Sequence, residues 1–330
     1  MPILLIFLAL WGTAFAGSWS DALTELSSIL QTHCVRTFGQ ESPHQEIYQA
    51  LICGKRLSLE NPLRQSVAQL GLIHLLVVSG AHLIWLEYGV RKMFSTVAPR
   101  QLQSLLSLIF VFCFAFICGL QAPVLRSAFS LSLRILNQRL ALNWLASQRV
   151  ALSALICLPF LEQGLNSLSL QLSWSAALAL SFPLLPRARY RALKRAALVY
   201  IFLTPLLLPV VSLPHPLSIL LNGAIAGALL SFWLGCCLLQ LMSFLPGFGW
   251  LADLMMGLSL EFLAVLTQLW PDTWNACLLW QPLLPGLCSR TWGWAYLGAL
   301  QSFILSYEFL QRRKTLMTAN RSLKDPRSEA

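Results

Sequence analysis

The chain has 330 residues, of which 57% are apolar and only 11% charged, against roughly 45–50% and 25% in soluble domains. Mean hydropathy is +0.66, and apolar runs of about 20 residues recur along most of the length. Too few polar side chains remain to cover a water-facing surface, which excludes a soluble enzyme. The net charge of +10 must be read from its placement before it is read as a surface for polyanions.

In chain order, residues 1–19 form a signal peptide or a first transmembrane segment. The apolar stretch ends in Ala14-Phe15-Ala16, a small-x-small pattern suited to signal peptidase, but no basic region precedes it. Residues 20–69 make a short, polar extracytoplasmic segment. Within it, 21–38 sets Leu23, Leu26, Leu30 and Val35 near one helical face, so this helix lies on the membrane or on another part of the protein.

Nine apolar windows follow, at about 72–90, 103–121, 123–141, 147–161, 165–186, 196–213, 217–241, 250–270 and 291–310. They make residues 70–310 an all-α, polytopic transmembrane domain, followed by a basic tail at 311–330. The pair 123–141 and 147–161 reads alternatively as a re-entrant hairpin, with the same topology. Basic residues fall in alternate connections: Arg91, Lys92 and Arg100; Arg139 and Arg149; Arg187, Arg189, Arg191, Lys194 and Arg195; then the tail from Arg312 to Arg327. The intervening connections around Glu162, Pro214–Pro216 and Trp270–Arg290 hold almost none. The positive-inside rule then places the C-terminus in the cytoplasm, and the charge is chiefly topogenic rather than a nucleic-acid surface.

Cysteines sort by compartment. Cys34 with Cys53, and Cys277 with Cys288, are candidate extracytoplasmic disulfides, while Cys113, Cys118, Cys157, Cys236 and Cys237 sit in apolar windows as small hydrophobes. No metal-ligand spacing, phosphate-binding loop or internal repeat is present, so neither a metal, a cofactor nor ATP hydrolysis is expected.

Polar groups inside apolar windows are the functional candidates, because a central charge costs roughly 2.5–3.5 kcal/mol on insertion. The first cluster is Gly71-Leu-Ile-His74-Leu-Leu-Val-Val-Ser79-Gly80-Ala-His82. His74 and His82 lie about 80° apart on an uninterrupted helix, and the Ser79-Gly80 pair breaks or thins it. The competing reading is two satisfied interior histidines at a tight helix crossing. The second cluster runs from Gly119 through Pro123 to Arg126, Ser127, Ser130 and Arg134, a basic, hydroxylated stripe that holds phosphate or merely snorkels. The third comprises Gln171, Ser173, Ser175, Asn222, Asp253 and Glu261, which read most simply as interhelical hydrogen bonding. Asp253 and Glu261 are candidate counterions for Arg126 or Arg134. Trp270, Trp274, Trp280, Trp292 and Trp294 form an interfacial belt rather than a base-stacking platform.

The order of these motifs resembles the channel module of the ComEC competence family. Leu51-Ile-Cys-Gly54 and then the His74–Ser79-Gly80–His82 element are similar to the family's Gly followed by Gly-Leu-x-His-Leu-Leu-x-x-Ser-Gly-x-His. Gly119 to Ser127 resembles its Arg-centred helix, Pro159 with Gln171-Leu-Ser173 its Gln-Leu-Ser element, and Pro216 with Asn222 its later Pro and Asn positions. The resemblance spans about 50–245. It implies an inner-membrane channel that passes single-stranded DNA into the cytoplasm, alongside a periplasmic DNA-binding protein, a separate nuclease and a cytoplasmic motor. Residues 17–69 are too short for the family's OB-like domain, and its metallo-β-lactamase-like metal signature is absent, so no catalytic residue is carried over.

The expected path residues are His74, Ser79, Gly80, His82, Arg126, Ser130, Arg134, Gln171 and Asn222. Two other functions fit the same polar positions. One is a secondary transporter for a smaller anionic or polar solute; the other, weaker, is an intramembrane enzyme using Ser79 and His82.

Overall fold

The computed structural model describes residues 21–38, 41–58, 60–161, 167–182, 190–207, 215–270 and 290–324. Among them the chain is all-helical. The elements are α1 (21–37), α2 (Gln45–Cys53), α3 (Pro62–Gln69), α4 (Gly80–Met93), α5 (Arg100–Ile117), α6 (Ala122–Arg139), α7 (Ala146–Cys157), α8 (Leu168–Ser181), α9 (Arg191–Leu207), α10 (Ser218–Ala224), α11 (Ala226–Leu241), α12 (Phe248–Gln268) and α13 (Arg290–Lys324). Single 3₁₀ turns occupy Ile73–Leu75 and Leu158–Phe160.

Local chemistry sets several boundaries. Asn61 caps α3 by accepting from the backbone N–H groups of Leu63 and Arg64 at 3.0 and 3.3 Å, with Pro62 at the first helical position. Ser167 caps α8 by accepting from Leu170 N at 3.3 Å. Gly119, at φ +74°, and Leu120, at φ +48°, turn the chain through the left-handed region between α5 and α6.

Two hydrophobic cores result. The first gathers α4 to α9 with α13, around Val111, Ala115, Val124, Leu170, Leu178 and Leu297. The second joins α2 and α3 to α11 and α12, around Tyr48, Leu51, Leu70, Trp233, Met256 and Leu263. Helix α10 packs on α9 and continues into α11, linking the two.

Every one of the nine windows holds helix. On length and composition alone, however, only α5 and α12 qualify as membrane spans among the described residues, and α10 with α11 makes a third if that pair, bent by 57°, is one span. The reasons are local. Helix α8 has 14 residues, about 21 Å against a hydrocarbon core of about 30 Å. Helix α6 carries Arg126, Arg134 and Arg139, and the first window is interrupted before α4 begins.

Helix α1 docks on the protein through a polar ridge rather than its apolar one. Ser27 is buried and its hydroxyl donates to Phe116 O at 2.7 Å, while the Gln31 amide donates to Cys53 O at 3.0 Å. Leu23 packs on the first core, but Leu26, Ile29 and Leu30 stay exposed.

Candidate functional site

The segment before α4 is not a continuous helix. Gly71 adopts φ +73°, a 3₁₀ turn carries His74, and Ser79 is extended at φ −130°, ψ 175° before α4 starts at Gly80. Ser79 and His82 form a capping pair. The Ser79 hydroxyl accepts from Ala81 N at 3.3 Å, and His82 Nδ1 accepts from Ser79 N at 3.2 Å, where a capping box ordinarily uses Glu or Gln. The Ser79 Oγ to His82 Nδ1 distance is 3.3 Å. His82 is therefore held through one ring nitrogen. Its Nε2 is buried with no hydrogen-bond partner among the described residues. His74, on the 3₁₀ turn, keeps an accessible surface.

Gly80 brings this break against α6. A Cβ added there would lie 2.7 Å from Ser127 Oγ, so only glycine permits the approach without a shift. Beside that contact, Arg126 is 8% exposed. Its Nε donates to Ser173 Oγ at 2.8 Å and its Nη2 to Ser127 Oγ at 3.2 Å, while the Ser127 hydroxyl donates to Pro123 O at 2.7 Å. No carboxylate pairs with Arg126 among the described residues. Hydroxyl dipoles alone compensate a desolvated cation poorly, so the arrangement suits an anion arriving from outside the protein.

Arg134 differs. Its Nη2 is bound to both oxygens of Glu87, which also forms an ion pair with Arg91, Nε to Oε1 3.0 Å. The counterion is thus Glu87, not the Asp253 or Glu261 considered from sequence; Asp253 instead accepts from Ser42 Oγ at 2.6 Å, in the second core's periphery. Ser130 is half-buried one turn beyond Arg126. Buried Gln171 lies against the backbone of Gly293 on α13. Asn222 on α10 donates to Gly71 O at 3.2 Å and to Ser218 O at 2.9 Å, which ties the α10–α11 bend to the break before His74.

The structure therefore brings His74, Ser79, Gly80, His82 and Arg126 together, with Asn222 at the rim of the break and Arg134 in a separate ion pair. Cys34 and Cys53 are joined by a disulfide, Cα atoms 5.8 Å apart. Cys277, Cys288, Trp274 and Trp280 lie outside the described residues. No group of three or more metal-ligating side chains occurs among the described residues.

One partner was not singled out in sequence. Glu87 is absent from the polar candidates of the sequence yet holds two arginines, whereas Ser173, read there as an interhelical hydrogen-bonding residue, makes such a bond to Arg126. The Glu87–Arg134 pairing joins residues on different helices, where no local spacing marks it, whereas Glu87–Arg91 is an i,i+4 pair within α4. A family model described as Competence protein matches residues 51–303. No curated protein and no solved structure gives a significant match.

Proposed function

We propose, because this chain belongs to the competence protein family, that its part in DNA uptake is to form an inner-membrane channel through which one DNA strand reaches the cytoplasm. Family membership supports competence and DNA uptake, and the apolar helices fit a membrane protein. The observation that carries the finer reading is Arg126: a buried guanidinium without a carboxylate, facing a broken helix with an unpartnered imidazole nitrogen. A strand's phosphodiester is the anion this site lacks, and a single such contact binds without stalling the strand. In this reading the nine windows are spans, the basic end and the C-terminus face the cytoplasm, and the Cys34–Cys53 segment faces the periplasm, where disulfides persist. No chemical step is assigned to the chain. Strand degradation, driving force and strand delivery fall to a separate nuclease, a cytoplasmic motor and a periplasmic DNA-binding protein.

The test replaces the resident channel gene of a transformable host with this one and follows labelled DNA into periplasm and cytoplasm. Arg126→Gln is expected to lower cytoplasmic arrival and transformation about 10- to 100-fold, the worth of one charge-assisted contact of about 1.5–3 kcal/mol. Inserted protein should stay near parental amounts, and Arg126→Lys should fall between. Parental DNA passage in Arg126→Gln would sink the reading and leave a small-solute transporter as the better account of these polar groups.

A further inference from the structure

The docking of α1 creates a second basic feature that the channel reading does not use. An open cavity of about 510 Å³ lies between α1, the Gly54–Arg56 turn and the α5–α6 connection. Its charged lining is Arg36, Lys55 and Arg56, with no carboxylate. Arg36 and Arg56 are exposed and make no side-chain hydrogen bond or ion pair among the described residues. Lys55 Nζ donates to Gln49 Oε1 at 3.0 Å, while the Gln49 amide is anchored on Val35 O at 2.6 Å, so this ammonium is held in place.

The cavity floor is built. The Gln31 amide donates to Cys53 O at 3.0 Å and that of Gln121 donates to Gly54 O. A side chain at Gly119 would collide with Gln31 Oε1 at 2.6 Å, so the turn and α1 can approach only with glycine there. The Cys34–Cys53 disulfide locks α1 to the same turn. Gln121 directly precedes α6, and Arg126 lies five residues on, about 7.5 Å along the helix axis. Three cations therefore stand at the end of the helix whose next buried cation is Arg126.

We propose that this cavity is an outer docking vestibule for the sugar-phosphate backbone of single-stranded DNA, which it hands to Arg126. The inference rests on the channel reading for its ligand and adds a site to it. The cations are spread over a cavity rather than forked around one group, which fits a run of phosphates held without regard to base sequence. The second N–H of each glutamine amide, beyond the one that builds the floor, is a neutral donor for the same oxygens.

The experiment uses the full chain in zwitterionic nanodiscs and a short fluorescent oligothymidylate, with anisotropy recorded across a salt series. For single strands, each phosphate that the protein ceases to neutralise flattens the slope of log K against log salt by about 0.7. Arg36→Gln/Lys55→Gln/Arg56→Gln should flatten the slope by about 2, and Arg36→Gln/Arg56→Gln, which touches no internal hydrogen bond, by about 1.4. Arg36→Lys/Arg56→Lys should keep the parental slope. Lys92→Gln/Arg100→Gln, exposed at the opposite end of the bundle, should leave it unchanged.

No oligothymidylate binding by the parent at low salt, or identical slopes in parent and double variant, overturns the vestibule. Dependence on Arg36 and Arg56 for phosphatidylglycerol in the disc, but not for oligothymidylate, makes the cavity a lipid-headgroup site and also overturns it. DNA passage in cells is scored separately. Normal passage with identical slopes removes the vestibule alone, whereas no passage with the expected slope change keeps the vestibule and removes the channel.

Discussion

Arg126 and Arg134 stand two turns apart on α6 and meet opposite surroundings. Arg134 is neutralised by Glu87, whose side chain is only 8% exposed and which also holds Arg91. Glu87→Gln should therefore cost roughly 1–3 kcal/mol of stability, since it removes the negative charge that two cations share. Arg91→Gln should cost at most about 1 kcal/mol, because that side chain is 36% exposed and Glu87 keeps Arg134. Thermal unfolding in detergent separates the two, and equal losses would show that Glu87 does not organise the cluster. Gly80→Ala should cost about 1–3 kcal/mol through overpacking on Ser127 Oγ. Ser127→Ala removes the obstructing oxygen, so a double-mutant cycle should show most of that cost recovered; purely additive losses would refute the close approach. The sequence makes Arg126, His74 and His82 legible as polar residues in apolar windows. It cannot show which arginine is compensated, because Glu87 and Arg134 are 47 residues apart and meet only once α4 crosses α6.

At the level of elements, helix breaks carry the design. The break before α4 is legible in Gly71 and Ser79-Gly80, residues that suit a left-handed turn and a helix cap. The bend between α10 and α11 is less so: window 217–241 reads as one apolar run, and the break falls at Ile225 between flanking Gly223 and Gly227. There the backbone of Leu193 presses within 2.9 Å of where a Gly223 Cβ would stand. Tertiary approach, not local propensity, selects the site. Helix α1 follows the same rule. Its apolar periodicity picks out Leu26 and Leu30, whereas docking uses Ser27 and Gln31, because backbone carbonyls at the helix ends, Phe116 and Cys53, accept their hydrogen bonds. The covalent tie to α2 then matters to stability. Reducing Cys34–Cys53, with its separation of 19 residues, should lower stability by about 3 kcal/mol on the loop-entropy account. Melting with and without reductant tests this, and an unchanged midpoint would refute a structural role for the bond.

Across the molecule, specific contacts fix how helices run. The Arg139 guanidinium donates to Gln101 O at 3.0 Å, which sets the end of α6 beside the start of α5. Ser147 at the start of α7 binds Glu308 on α13, and Gln301 Nε2 donates to Ser147 O at 3.1 Å. The ends bearing Arg91, Arg100, Arg139 and Arg149 are thereby gathered, in keeping with the alternating basic connections of the sequence. A fluorescent protein fused after residue 330 should fold and glow, whereas alkaline phosphatase inserted near Glu162 should be active. Phosphatase activity from the C-terminal fusion would invert the orientation.

The second core also orders events in time. Its first contributors, α2 and α3, leave the ribosome early, yet Tyr48, Leu51 and Leu70 bury against residues of α11 and α12 that follow more than 150 positions later. Until those helices are made, the segment has only local apolar partners such as Phe38 on Tyr48, and closing so long a loop is slow. The first core has most of its helices by α9, with α13 completing it. The burial of α2 and α3 against α11 and α12 is therefore expected to follow assembly of most of the first core.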